Sequence, residues 1–506
     1  MTMTPDLSAF TSVYKTGCPQ IVWRSLAADL DTPVSAMLKL AAGTPNSFLL
    51  ESVEGGAIRG RYSILGMKPD LIWRCRGTKA EINRRAETAP DAFAPCPVGE
   101  RDGVLASLRA LSDESRIDIP DFLPPMAAGL VGYMSYDMVR LSEKLPDSNP
   151  DTIGIPDGIF VRPTVMAVFD TIKDVITLIT PARPRDGVSA GQAYADAEKR
   201  LADAVAAFNR PLSHLRGEPN TESPVVTPHI SREDFHRIVN KAKEYILAGD
   251  IFQVVPSQRF SVPFPLPPFA LYRSLRRTNP SPFLFFLDFG GFALVGSSPE
   301  ILVRLRDNTV TIRPLAGTRK RGANAAEDAA LAADLLADEK ELAEHLMLLD
   351  LGRNDVGRVS EIGSVKVTEK MAVEYYSHVM HIVSNVEGKL RPGCDAIDVL
   401  MAGFPAGTVS GAPKVRAMEI IDELESERRS FYAGCIGYFA ANGTLDTCIA
   451  LRTALVKDGS VIIQAGAGLV ADSDPESEYQ ETWNKARALL RAVEEAVPYE
   501  MERGRA

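Results

Sequence analysis

Residues 338–355 read DEKELAEHLMLLDLGRND, a helical pattern followed by an Arg-Asn-Asp turn. At about 100° per residue, Leu342, Leu346 and Leu349 share one stripe, and Glu341, Glu344 and His345 fall on the side away from it. The stretch Ser477–Leu490 repeats the plan. Tyr479, Trp483, Ala486 and Leu490 form its apolar stripe, while Glu478 and Glu481 point elsewhere. Two helices thus each present a Glu-x-x-Glu pair. Four carboxylates without cysteine or clustered histidine are hard oxygen ligands, suited to magnesium rather than zinc, and magnesium suits an anionic substrate. Taken alone, either pair is more commonly the solvated face of an amphipathic helix, so the rest of the chain has to decide.

The 506 residues allow three domains, or one large domain with a smaller one, and 45% apolar content assures a sizeable core. A net charge of −10 without a basic run argues against nucleic acid and against an anionic membrane surface. An anionic substrate would then need local arginines and a metal. The opening MTMTPDLSAF has neither a basic nor an apolar leader segment, and no stretch approaches the length of a membrane span. A soluble, unexported, cytoplasmic protein is expected. Cys18, Cys75, Cys96, Cys394, Cys435 and Cys448 show no C-x-x-C spacing and read as reduced packing thiols.

Residues 1–180 look sheet-rich. FLLESVE (Phe48–Glu54) and RYSILG (Arg61–Gly66) flank Gly55-Gly56 as a hairpin would, and strand-like runs recur over Ala127–Val139 and Gly158–Asp170. Residues 181–230 form a connecting segment with one helical pattern, Ala190–Phe208, and a tract rich in Pro, Ser, Asn and Thr. Ser231 with Asp234 three residues on reads as a helix cap that opens a second domain, 231–506. Hairpin-like pairs within Phe283–Ser298 and Ile301–Leu315 argue for antiparallel sheet. The expected fold is α+β, with stacked, largely antiparallel sheets covered by helices.

Three glycine-rich loops are expected in the second domain, at Leu315–Gly322, Phe404–Lys414 and Gln464–Glu476, where backbone N–H groups can approach an anion. The third imitates a dinucleotide fingerprint and fails on context, since Asp474-Pro475 starts the helix well past the glycines. The second lacks the Gly-Lys-Ser/Thr step of a phosphate loop. In the apparent strand Ser377–Val386, His381 shares a face with Val379 and Val383, which fits a core histidine as well as a proton-transfer group. Arg452, in a strand-like apolar run, needs an anionic partner, either a substrate carboxylate or a structural acid.

The chain resembles the chorismate-utilising enzymes, and within them the branch that makes anthranilate. The resemblance covers nearly all of it and rests on LLES (Leu49–Ser52), GRYSILG (Gly60–Gly66), NPSPF (Asn279–Phe283), SSPE (Ser297–Glu300), PLAGTRKRG (Pro314–Gly322), ELAEHLMLLDLGRND (Glu341–Asp355), HVMHIVS (His378–Ser384), PAGTVSGAPK (Pro405–Lys414) and AGAGLVADSDPESEYQET (Ala465–Thr482). It implies that Glu344 and Glu481 bind Mg2+, with Glu341 and Glu478 acting through water. It further implies chorismate contacts from Gly317, Thr318, Tyr432, Arg452, Gly466, Ala467 and Gly468. Glu300 matches the family's general acid, His381 the residue of the pyruvate-releasing step, and Thr408 lines the site.

Two positions bear on the branch. Isochorismate and salicylate synthases carry a lysine where this chain has Gln253, and aminodeoxychorismate synthases carry one where it has Ala316. Without either amine, direct amination at C2 remains, with anthranilate as product. Ser52, Pro282, Phe283 and Leu284 match a tryptophan feedback site, although Phe283-Leu284 departs from the aromatic-Met pair of some relatives. The chain has no Gly-x-Cys-x-Gly glutaminase elbow. A separate glutamine amidotransferase subunit is therefore implied, in a heterotetramer of two large and two small subunits.

Overall fold

The computed structural model describes residues 3–41, 43–54, 58–212, 225–376 and 379–496. The Gly55-Gly56 turn, residues 213–224 of the connecting segment, and Ser377 and His378 lie outside them.

Alternation along the strands builds two cores. In the strand Ser47–Glu54, Phe48 packs with Ile64, Phe285 and Leu294, whereas Leu49 packs with Leu65, Phe286 and Val295. Successive side chains leave a strand on opposite faces, so a sheet buried on both sides must feed a core on each. One core is shared with a second layer of strands through Trp73, Tyr133, Phe160 and Phe439. The other is closed by helices: Ala190–Phe208 through Ala197 and Leu201, Pro268–Thr278 through Leu271 and Leu275, and Pro475–Glu494 through Ala486 and Leu489. This is the expected α+β arrangement of stacked sheets under helices.

Among the described residues, 21 strands form one hydrogen-bonded network. It joins the early and late parts of the chain directly. Ser47–Glu54 pairs antiparallel with Phe283–Asp288, which sets Ser52 opposite Phe283, and Gly129–Met134 pairs antiparallel with Cys435–Ala440. The hairpins within 283–298 and 301–312 form as expected, and the Ser231 side chain caps the helix Arg232–Leu247 by accepting from the Asp234 N–H.

Several local expectations are corrected. The helix Glu339–Val359 does not end in a turn at Arg353-Asn354-Asp355 but runs through it, and Lys414 Nζ grips the Asp355 carboxylate at 2.8 Å. Its buried stripe is His345, Leu348, Leu349, Gly352 and Val356, while Leu346 is 52% exposed. His345 can be buried because its Nε2 hydrogen-bonds Ser384 Oγ at 2.7 Å, and burial pushes its pKa down to about 4. In the helix Pro475–Glu494, Glu478 is buried and Trp483 only half-buried. Leu315–Lys320 is a strand rather than a loop, paired with Val379–Val383 around a bulge at Gly317. Arg452 lies in the joint between the strands Leu445–Ile449 and Thr453–Lys457, at φ +46°.

Candidate active site

The Gly317 bulge brings together three of the residues named from the sequence, Gly317, Thr318 and His381. With φ +68° it breaks the register between Ala316 and Thr318 and presents its carbonyl to His381. A Cβ there would lie 3.2 Å from Glu341 Oε2 and from Ile382 and Leu335 side-chain carbons, so the close fit suits glycine. His381 Nδ1 lies 2.9 Å from the Gly317 carbonyl and 3.0 Å from Thr318 Oγ1. A carbonyl only accepts, so Nδ1 carries the hydrogen, and among the described residues Nε2 has no hydrogen-bond partner. Burial draws the His381 pKa down to about 4 against the pull of the Gly317 bond, and the Arg452 charge lowers it further. The imidazole is therefore neutral at neutral pH.

Burial also lowers the Arg452 pKa, and among the described residues no hydrogen bond or ion pair holds its guanidinium. Such a cation is costly until an anion arrives. Glu300 shows the opposite response. Its carboxyl is buried and pushed up to about 8, although Thr408 Oγ1 donates to Oε1 at 2.9 Å and the Leu315 backbone also favours the charged form. At neutral pH it is mostly the acid. The ring of Tyr376 stands edge-on to His381 at 5.5 Å.

The Gln464–Glu476 segment forms the next wall. A Cβ on Gly466 would stand 2.8 Å from both the Pro256 carbonyl and the Tyr432 hydroxyl, and one on Gly468 would stand 3.0 Å from Gln253 Nε2. Gly466, Ala467 and Gly468 thus run close beside Tyr432 and Gln253. A buried ion pair ties the Phe404–Lys414 loop to the backbone at Val255. Arg429 meets Glu425 at 2.6 Å and donates to the carbonyls of Val409 at 2.7 Å and Val255 at 2.6 Å.

The carboxylates divide between the two helices. Burial raises the Glu341 pKa, and the neighbouring Glu344 charge adds to it; Glu478 is raised by burial and by Glu481. Glu344 Oε1 accepts from Gln253 Nε2 at 3.2 Å, and Glu481 meets Lys485 Nζ at 2.7 Å. Among the described residues no three His, Cys, Asp or Glu groups are close enough together to hold a metal ion. The donor chemistry nevertheless suits one: the carboxylates repel within each pair, and among the described residues Glu478 Oε2 is buried without a hydrogen-bond partner.

Ser52, Pro282, Phe283 and Leu284 line a cavity of about 1190 Å³ that Glu300 and Tyr376 also line. Beside Ser52, the buried Glu51 is held by Arg276 at 2.5 Å and by the Tyr272 hydroxyl at 2.6 Å. Cys435 is buried and its thiol is pushed up to about 12, which removes it as a nucleophile.

The pattern that describes chorismate binding enzymes matches residues 68–491. The chain belongs to the chorismate binding enzymes. It is 60% identical to anthranilate synthase component 1 of Cereibacter sphaeroides, over 97% of this chain and 98% of that one. It is 49% identical to the Pseudomonas putida protein of the same description, over 92% and 93%. The crystal structure of anthranilate synthase component I from Streptococcus pneumoniae superposes with a TM-score of 0.73 at 40% identity, covering 85% of this chain and 92% of that one. A menaquinone-specific isochorismate synthase from Escherichia coli shares the fold, with a TM-score of 0.68 at 20% identity over 96% and 100%.

In this chorismate binding enzyme His381, Gly317 and Thr318 meet directly, as do Glu300 and Thr408, and Gly466 with Tyr432. Sequence reading missed Tyr376 and Lys485, whose Nζ donates to the Gly466 carbonyl at 3.1 Å. Lys485 stands four residues after Glu481, a helical ion-pair spacing that could have flagged it. Tyr376 carries no comparable signal.

Proposed function

We propose that this chorismate binding enzyme converts chorismate and ammonia to anthranilate, pyruvate and water. The observation that carries the reading is Glu300, an acid at neutral pH, lining one cavity with Tyr376, whose ring in turn meets the neutral His381 imidazole on which the Arg452 charge acts. Ammonia adds at C2 while the 4-hydroxyl leaves as water, and Glu300 supplies the proton, with Thr408 holding its carboxyl. C2 then loses its hydrogen, the enolpyruvyl C–O bond breaks, and the ring becomes aromatic. His381 Nε2 is the acceptor for a proton in this step. Burial is the main cause of the low His381 pKa, and a substrate carboxylate on Arg452 would cancel the lesser one, the Arg452 charge, making the imidazole a better base as the substrate binds.

Arg452 pairs with the enolpyruvyl carboxylate, and Tyr432, Gly317, Thr318 and the backbone of Gly466, Ala467 and Gly468 enclose the ring. Glu344 and Glu481, with Glu341 and Glu478 behind them, would hold Mg2+. When bound, the ion neutralises the substrate's ring carboxylate. Neither Gln253 nor the buried Ala316 offers an amine to activate water or attack the ring, which favours ammonia at C2.

Ammonia comes from glutamine through an amidotransferase subunit, in a cytoplasmic heterotetramer of two large and two small subunits within tryptophan biosynthesis. Residues 1–180 bring Ser52 to a tryptophan inhibitor site shared with Pro282, Phe283 and Leu284, and residues 231–506 carry catalysis. Among the described residues no helix is long and apolar enough to cross a membrane. Isotopic labelling tests the reaction. With chorismate, magnesium and 15N-ammonium, the label should appear on the ring carbon next to the carboxyl-bearing one; label at C4, or an unlabelled hydroxylated product, refutes the reading.

A further inference from the structure

Tyr376 follows the strand Lys366–Tyr375, and its ring meets the His381 imidazole at 62° with centroids 5.5 Å apart. Its hydroxyl donates to Glu374 Oε2 at 2.8 Å, while Arg313 donates to the other oxygen of that carboxylate at 2.5 Å and to Glu369 at 3.0 Å. Glu374 also stands opposite His381 in the strand pairing. Ring and carboxylate are therefore fixed together by charge-assisted bonds, with the imidazole packed edge-on beside the ring.

The phenol does not act as an acid. Burial and Glu374 both push its pKa well above the usual range, and its hydroxyl is turned to Glu374 rather than to a reacting group. Tyr376 lines the same cavity as Glu300, meets the His381 ring and acts on the buried Arg452 guanidinium, so its ring lies near all three groups. An imidazole held, among the described residues, through Nδ1 alone can swing about that bond. An edge-on aromatic ring removes the freedom, and small misplacements of a proton-transfer group are expensive in rate.

We propose that Tyr376, anchored by Glu374 and Arg313, is a positioning residue that holds His381 for the release of pyruvate and is dispensable for amination. The inference rests on the assignment of His381 to that release. The full chain is assayed with chorismate, magnesium and ammonium, and chorismate, the aminated intermediate and anthranilate are separated by chromatography. Tyr376→Leu should slow anthranilate formation by about ten- to a hundredfold and chorismate loss by less than about threefold, so that the aminated intermediate accumulates. Tyr376→Phe, which keeps the ring and loses the anchor, should show a smaller selective loss of about two- to fivefold.

His381→Met separates the two ideas. If it accumulates the intermediate and Tyr376→Leu slows both steps equally or neither, the role of Tyr376 is overturned and that of His381 stands. If His381→Met accumulates none, the His381 assignment falls and the proposal falls with it. Should Tyr376→Leu fail to fold, Tyr376→Phe decides, and an unchanged product ratio there overturns the proposal.

Discussion

Glu300→Gln separates proton donation from packing, because the amide keeps the shape of the side chain and an oxygen for Thr408 yet has no acidic proton. A carboxyl held at about 8 is roughly ten parts acid to one part anion at pH 7, whereas one near the ordinary value of 4.5 would be acid only about once in 300. Burial thus enriches the proton-donating form about 300-fold at neutral pH. General acids contribute about 100- to 10,000-fold to rate, so the amination rate should fall by that much. The assay is the initial rate of chorismate loss with ammonium, at constant free ammonia across pH. In the unsubstituted protein the rate should drop about tenfold per pH unit above about 8 as Glu300 ionises, and Glu300→Gln should lose this limb. Stability gives an independent sign. With its pKa raised on folding, Glu300 binds protons more tightly in the native state between about 4.5 and about 8, so its contribution to stability declines as pH rises through that window. Glu300→Gln should flatten that decline. A variant keeping more than about a third of the rate, or an unchanged alkaline limb, would refute the acid role.

Glu344→Ala and Glu481→Ala should each abolish turnover and magnesium dependence with little change in the melting curve; retained activity would sink the ligand assignment. Arg429→Met strands the buried Glu425 carboxylate and two carbonyls, and should destabilise the protein by about 3–5 kcal/mol in urea unfolding. A loss under about 1 kcal/mol would show that the pair is not holding the loops. Ser52→Leu intrudes into the cavity opposite Phe283 and should raise the tryptophan concentration for half-inhibition at least about tenfold, with KM for chorismate unchanged, as steady-state inhibition curves would show. Undiminished inhibition would move the regulatory site elsewhere.

What could be read from sequence was local. The Ser231 cap, the hairpins within 283–298 and 301–312, and the helix starting at Pro475 depend on residues a few positions apart, and each forms. The misread features depend on distant partners. Leucine spacing assigned Leu346 inward and His345 outward. The choice is reversed by Ser384, 39 residues away, which satisfies the imidazole and lets it be buried. The Arg-Asn-Asp turn is helix because Asp355 finds Lys414, 59 residues on. Nothing near Gly317 in sequence marks the bulge that turns its carbonyl to His381, and Arg452 reads as strand until its left-handed backbone is seen. The candidate site was legible through its motif residues. Their charge states, which decide the chemistry, come from burial.

The central claim is tested most directly by mixing the purified chain with chorismate, magnesium and ammonium at mildly alkaline pH, following anthranilate fluorescence and assaying pyruvate in the same samples. Anthranilate and pyruvate rising together in equal amounts is the predicted result. Isochorismate or aminodeoxychorismate as the product, or anthranilate without matching pyruvate, would contradict it.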